Sequence, residues 1–321
     1  MTEARERALR GVNVPYLRGD YGHDLAPNPR FDDWPVSFDP MHAYRPLIEA
    51  RDLGFEAVRL WLCENAEGLL VEDGRVVGVH DDLYRALDVI QEAAALHGVR
   101  LYPCLLDANA WPREGDPITR AILADADAAA RFAERAVAPI AARLDPSLLV
   151  ALEIVNEPET ATSECIEPGG PAPVAWDAIG RAVRLAGEAA RAERPLLVGA
   201  GTGHVFLPSL WRADPRVDLV DVHAYHANGG LPSRAQLAEY VGEPRLLDPR
   251  LPLIAGEAGI PKEDGADDDA LAHYVYNADT LGYAAVFLWE LEHALVEGSG
   301  RERSTTALGE LIRHTLRVSA G

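Results

Sequence analysis

A chain of 321 residues with 48% hydrophobic content has enough apolar material for one large core, and a closed α/β barrel routinely uses this length as one unit. Its formal net charge of -21 at pH 7 would repel polyanions and anionic bilayers, which excludes nucleic acid and membrane surfaces as partners. The opening "MTEARERALR" lacks the apolar segment of a signal peptide, no apolar run is long enough to span a bilayer, and Cys63, Cys104 and Cys165 fit neither a disulfide framework nor a CxxC metal knuckle, so we expect a soluble, unexported, cytoplasmic protein.

Taken in chain order, "RGVNVPYL" (10–17) is the first candidate strand. Asp39 as cap and Pro40 in the first turn then announce a helix with Met41, Tyr44, Leu47 and Ile48 on one face, stopped at Gly54. "EAVRLWLC" (56–63) is the second strand, and "GLLVEDGRVVGV" with its Asp73-Gly74 turn reads as a small hairpin inserted after it. A helix starting after Asp81 repeats Leu83, Leu87, Ile90 and Ala94 and ends at Gly98. The strands "VRLYPCLLD" (99–107), "LLVALEIVN" (148–156), "PLLVGAG" (195–201), "VDLVDVHAY" (217–225), "LPLIAGEAG" (251–259) and "AAVFLWEL" (284–291) follow. Helices are expected between or after them near 117–144, 173–193, 233–241, 267–281 and 306–317, with a short connection about "HVFLPSLW" and the acidic run "KEDGADDDA" (262–270) as a solvated helix start. A strand–helix unit used eight times is the count that closes a barrel, so the chain is expected to be a single (β/α)8 TIM barrel over 1–321.

Function in such a barrel collects at the C-terminal ends of the strands, and those ends are polar here. The second strand carries Arg59 and Trp61, the fourth ends in Asn156-Glu157, the sixth carries Asp221, His223 and Tyr225 two residues apart, the seventh ends with Glu257 and the eighth carries Trp289. Singly each has a bland explanation: Arg59 as a buried ion-pair partner of Glu153 or Asp221, His223 as a core histidine, Trp61 and Trp289 as core aromatics, and Asn156-Glu157-Pro158 as turn chemistry ending a strand. Five strands placing such groups at one level of one mouth are less easily explained that way.

Glu157 and Glu257, 100 residues apart, sit at strand ends that can face each other across the mouth. Two carboxylates so placed suit glycosidic cleavage, one protonating the leaving oxygen and the other attacking the anomeric carbon. That division requires a protonated Glu157 and an ionised Glu257; Arg59 and Tyr225 are expected to stabilise the charge on Glu257, and Glu157 to lack such help. Asn156 would bond a sugar 2-hydroxyl, and Trp289 would floor the sugar pocket. Glu157, Asp221, His223 and Glu257 would also serve a metal-dependent sugar isomerase, although Arg59 would repel the cation. A barrel that only binds a glycosylated metabolite, or has been redeployed for another reaction on one, is a further alternative.

The set "GFEAVRLWL", "EIVNEP", "VHAY", "LIAGEAG" and "VFLWEL" resembles the clan A glycoside hydrolases, most nearly the cellulase-like family 5 group of retaining (β/α)8 barrels. The resemblance runs over nearly the whole chain. It implies Glu157 as acid/base, Glu257 as nucleophile, Arg59 as the residue orienting the nucleophile, and Asn156, His223, Tyr225 and Trp289 as contacts in the first sugar subsite, with no cofactor and no metal. The family usually shows a histidine near the end of the third strand; this chain has "LLDANAW", so Asp107, Asn109 or Trp111 takes that place. The opening "GVNVPYLRGDYGHDLAPN" resembles a branch in which the first loop reaches over the site, which makes His23 and Asp24 candidate sugar contacts. Few aromatics, the long first loop and the hairpin favour a pocket for a small glycoside or oligosaccharide and exo action.

Overall fold

The structure, a computed structural model, describes residues 7–17, 21–31, 33–34, 38–225, 230–259, 268–292, 294–297 and 303–319, with the backbone alone at 268–273 and 318–319. Eight parallel strands close a barrel: β1 (Leu9–Asn13), β2 (Ala57–Trp61), β5 (Arg100–Asp107), β6 (Leu152–Asn156), β7 (Val198–Gly203), β8 (Val220–Tyr225), β9 (Leu253–Gly259) and β10 (Ala285–Leu288), with β10 pairing back onto β1. The antiparallel pair β3 (Leu69–Glu72) and β4 (Arg75–Val79) is the hairpin after β2, turned by Asp73 and Gly74 at φ 48° and 70°. Positive φ at both central residues gives the turn whose twist matches the flanking strands.

Helix α1 (Pro40–Leu53) is capped by the Asp39 carboxylate, which accepts from Met41 N, and closes on Gly54, as its punctuation implies. Its buried face, however, is Ala43, Pro46, Leu47, Ala50 and Leu53, and Met41 is exposed. The first-turn methionine lies beyond the stripe that α1 packs inward. Helix α2 (Asp81–His97) buries Leu83, Leu87, Ile90 and Ala94 as expected, but its cap is His80, whose Nδ1 accepts from Asp82 N. The segment read as one helix over 117–144 is interrupted at Asp125, which ends Pro117–Ala124 and caps Ala126–Phe132. The start "KEDGAD" (262–267) of the acidic run lies outside the described residues; from Asp268 the described chain is helical. Among the described residues no helix is long and apolar enough to cross a membrane.

Two apolar regions separate cleanly. The main core lies between strands and helices, whereas Ala57, Tyr102, Ala151, Leu219, Ile254, Ala285 and Phe287 form a cluster of their own inside the barrel. Above this plug the interior turns polar, with Arg59, Glu153 and Asp221 all buried. On both strands that carry the candidate glutamates the register shifts, between Glu153 and Asn156 on β6 and opposite Val222 and His223 on β9. Such bulges re-aim side chains. They let Glu153 and Asn156 reach the same guanidinium although three positions apart, and they bring Glu257 inward above Ile254.

Two glycines make room for this polar layer. A Cβ at Gly256 would lie 2.6 Å from the Asp221 carboxylate, which accepts the Gly256 N–H at 2.7 Å. A Cβ at Gly201 would lie 2.4 Å from His223 Nε2 and 2.6 Å from Glu153 Oε1. The close approach of backbone to charged groups therefore requires glycine at both positions.

Candidate active site

Arg59 is the centre of the polar layer. Fully buried, it makes a bidentate contact with Glu153 (Nε–Oε2 2.6 Å, Nη2–Oε1 2.9 Å) and reaches Glu257 Oε1 through Nη1 at 2.8 Å. It also donates to Asn13 Oδ1 at 3.0 Å and Asn156 Oδ1 at 2.7 Å, and stands 4.4 Å from the centre of the Trp61 ring. The ion pair to Glu153 and the contact to Glu257 thus coexist on one planar fork, which a lysine could not reproduce.

Glu257, also buried, accepts the Tyr225 hydroxyl at 2.5 Å besides Arg59, and His223 Nδ1 lies 3.7 Å away. Burial pushes its carboxyl above the usual range, against the pull of His223, Arg59 and Tyr225. Burial likewise raises the Tyr225 hydroxyl well above its ordinary value, and the neighbouring Glu257 charge adds to this, so Tyr225 stays a donor.

Glu157 is held differently. Its backbone is left-handed (φ 44°, ψ 58°), its N–H bonds to Gly201 O at 2.9 Å, and Pro158 opens a short 3-10 turn to Ala161. Such a conformation costs a non-glycine residue about 1–3 kcal/mol. It swings the side chain off the strand's alternation, where Oε1 meets His223 Nδ1 at 3.1 Å and Oε2 accepts from Asn109 Nδ2 at 3.2 Å. The side chain remains a quarter exposed.

The expectation that Glu157 lacks stabilising partners is therefore corrected. Burial pushes its carboxyl up, but the His223 bond and charge, the Asn109 amide and Arg59 outweigh this and hold it low, at about 2. Burial disfavours the imidazolium of His223, yet the Glu257 charge and the Glu157 bond raise it to about 10. Around neutral pH the shared proton thus rests on His223, between two carboxylates. An oxygen of Glu157, a nitrogen of His223 and an oxygen of Glu257 all lie within 4.8 Å of one another.

The other expected residues surround this core. Asp107 accepts from Asn109 and Asn156 and from the Tyr21 hydroxyl. Trp111 stands on the next helical turn, with Nε1 bonded to Ala172 O. Trp61 and Trp289 meet edge to face at 5.9 Å, and Trp61 also borders Tyr16, 6.3 Å between ring centres. His23 packs on Trp34 at 4.6 Å. Asp24 is buried, accepts the Leu17 N–H at 2.5 Å, and brings an oxygen within 4.8 Å of those of buried Glu64 and Glu67. Both residues make contacts within the first loop.

Three further groups have no role assigned from the sequence. Asn13, in register with Arg59 on the adjacent strand, donates to Gly256 O at 3.0 Å and so ties β1 to the β9 bulge. The alternation of "GVNV" placed Asn13 inward and was the available signal. Glu159, buried, accepts from Thr202 Oγ1 at 2.6 Å and Gly203 N at 2.7 Å; burial and the nearby Glu157 push it up to about 7. Tyr102 donates to Asp221 Oδ2 at 2.6 Å, occupying a carboxylate that sequence reading left available to a metal.

With two oxygens on Arg59 at Glu153, and Tyr102 and Gly256 N on Asp221, the lower acidic cluster is already provided with donors. Glu157, His223 and Glu257 keep the spacing of a ligand set, with the Arg59 guanidinium 2.8 Å from Glu257 Oε1.

No protein-family model and no curated protein matches the chain. Solved structures do. A β-1,4-mannanase from the sea hare Aplysia kurodai is similar with a TM-score of 0.66 at 18% identity, over 98% of this chain and 93% of that one. An endo-1,4-β-mannanase from Eisenia fetida gives 0.70 at 19%, over 98% and 92%. A GH5_18 protein of Streptomyces cattleya in complex with Manβ1-4GlcNAc gives 0.68 at 17%, over 97% and 80%. At such identities the likeness establishes the (β/α)8 fold.

Proposed function

We propose that the protein is a retaining glycoside hydrolase that cleaves a small β-linked glycoside or oligosaccharide by double displacement. The observation that carries this reading is that an oxygen of Glu157 and an oxygen of Glu257 lie within 4.8 Å of each other across one mouth, next to a buried arginine. Retaining enzymes hold their two carboxyl groups about 5–5.5 Å apart, whereas inversion needs room for a water between them.

In this mechanism Glu257 is the nucleophile. Arg59 fixes one oxygen and Tyr225 the other, so the carboxylate is aimed as well as charged. Its attack on the anomeric carbon breaks the bond to the leaving oxygen, which takes a proton from Glu157. Glu157 is ionised in the free protein, and the proton comes from His223: bound sugar covers the exposed quarter of Glu157, raises its proton affinity, and a shift across the 3.1 Å contact leaves a neutral imidazole and a carboxylic acid. In the second half Glu157 takes a proton from water as that water displaces Glu257. The free hydrogen of the Asn156 amide is available to the sugar, and Trp61, Trp289 and Tyr16 supply aromatic walls.

The structural neighbours, β-mannanases among them, make a β-manno-configured sugar the first to try, and they include an exo-β-1,4-mannosidase of an Opitutaceae bacterium. A panel of aryl β-mannosides and β-glucosides, assayed with the protein and with Glu257→Gln, tests the proposal: turnover of one of them by the unaltered protein and its loss in the variant are expected. Because Arg59, Tyr102 and the Gly256 N–H already serve Glu153 and Asp221 and two carboxylates with an arginine suffice for the chemistry, dialysis against a chelator should leave the rate unchanged. A loss restored by Mn or Mg would instead favour the sugar-isomerase reading.

A further inference from the structure

We infer that Asp107 is a positioning residue of this site, the single carboxylate that orients the amides of Asn109 and Asn156 and joins the first loop to them through Tyr21. The inference rests on the glycosidase reading for the meaning of Glu157, but not for the contacts.

Asp107 ends β5 in register with Asn156 at the end of β6. Its Oδ1 accepts three hydrogen bonds, from Asn109 N at 3.1 Å, Asn109 Nδ2 at 3.0 Å and Asn156 Nδ2 at 3.0 Å. Its Oδ2 accepts the Tyr21 hydroxyl at 3.0 Å. A carboxylate offers about four acceptor positions, two per oxygen, so the three donors fill Oδ1, and a sugar hydroxyl could approach only Oδ2, beside Tyr21. Oδ1 is thus committed to support. A neutral imidazole, with one acceptor nitrogen, could not hold the same set.

Each amide has a nearly symmetrical alternative in which oxygen and nitrogen exchange places. For Asn156 the choice is fixed from both ends, since Oδ1 accepts from Arg59 Nη2 at 2.7 Å while Nδ2 faces Asp107. For Asn109 the NH2 group lies between two carboxylates, 3.0 Å from Asp107 and 3.2 Å from Glu157 Oε2. Without Asp107, one long bond to the partly exposed Glu157 would be left to hold that side chain. Asp107 thereby fixes the rotamer of the donor that fixes the acid/base. Tyr21 extends the chain of contacts outward, packing edge-on against Tyr16 at 5.4 Å. Catalytic groups held loosely by about an ångström lose most of their effect, which is the reason such support matters.

The test uses the full protein labelled with 15N at asparagine side chains, the Asn109 and Asn156 NH2 signals being assigned by their loss in Asn109→Ala and Asn156→Ala. Asp107→Ala should speed hydrogen exchange of both remaining NH2 groups about tenfold or more, the size of one lost charge-assisted hydrogen bond. Should that variant not fold, Asp107→Leu, which fills a similar volume without an acceptor, carries the same measurement. On an alkyl glycoside, Asp107→Ala and Asn109→Ala should each lower kcat about tenfold with KM within about twofold, and the double variant should fall no further than either one, as expected for two groups acting as a unit. Unchanged exchange at both amides, or losses that multiply in the double variant, would overturn the inference. If the protein turns over no glycoside, the glycosidase reading fails, and the exchange measurement still decides whether Asp107 holds the amides.

Discussion

The two glutamates of the mouth are opposite cases of how a barrel holds a carboxylate. Glu257 stands within its strand, just past the β9 bulge and above the apolar plug, buried and gripped by a guanidinium and a phenol. Glu157 stands past the end of its strand on a left-handed residue, partly open to solvent, bonded to an imidazole and an amide that are themselves held by other groups. Rigidity and fixed charge suit a nucleophile. Exposure and a partner that can yield a proton suit an acid that must later act as a base.

The comparison breaks most visibly if Glu257 is removed. Glu257→Ala should lower turnover of any substrate roughly 10^4-fold or more, the scale of losing a covalent nucleophile. A variant retaining a tenth of the rate would reduce Glu257 to an electrostatic role.

Arg59 sharpens the same side. Replacing it with Met leaves Glu153 and Glu257 buried with like charge and no cation between them, and should cost about 3–5 kcal/mol of stability, read as a fall in the urea midpoint. Little or no fall would mean that the two carboxylates take up protons instead.

Glu157→Ala should slow glycosylation by alkyl leaving groups roughly 100-fold or more, while a dinitrophenyl leaving group, which needs no proton, is spared in that step. The intermediate should then accumulate and azide should speed its release. Equal losses for both leaving groups would return Asn156-Glu157-Pro158 to an ordinary turn.

A further effect is on stability against pH. His223 is raised to about 10 in the folded protein and titrates at about 6.5 unfolded. Its contribution is fully present below the lower value and is lost as pH rises through the upper one. Thermal denaturation from pH 6 to pH 10 should therefore show a decline that is shallower in His223→Gln; an equal slope would place the proton elsewhere.

Much of this was legible because strand ends advertise themselves. The period-two spacing of Asp221, His223 and Tyr225, and of Arg59 and Trp61, put each group on the inner face, and the eight strands fall within a few residues of the expected segments. The bulges on β6 and β9 were not legible, because a register shift leaves no mark on periodicity except a glycine, and Gly256 and Gly201 read equally well as punctuation. Nor was the His223–Glu157 contact, which depends on a left-handed residue that composition does not signal. The cap at His80 and the exposed Met41 show the same limit at helix ends, where one residue decides which face turns inward.

The assignment of opposite roles to the two glutamates is tested most directly by trapping. Incubation with a 2-deoxy-2-fluoro β-glycoside of the sugar that the protein turns over, followed by peptide mapping, should show one equivalent of sugar esterified to Glu257 and an unlabelled Glu157. A label on Glu157 or on another residue, or no label on a protein active with the parent glycoside, would contradict the account.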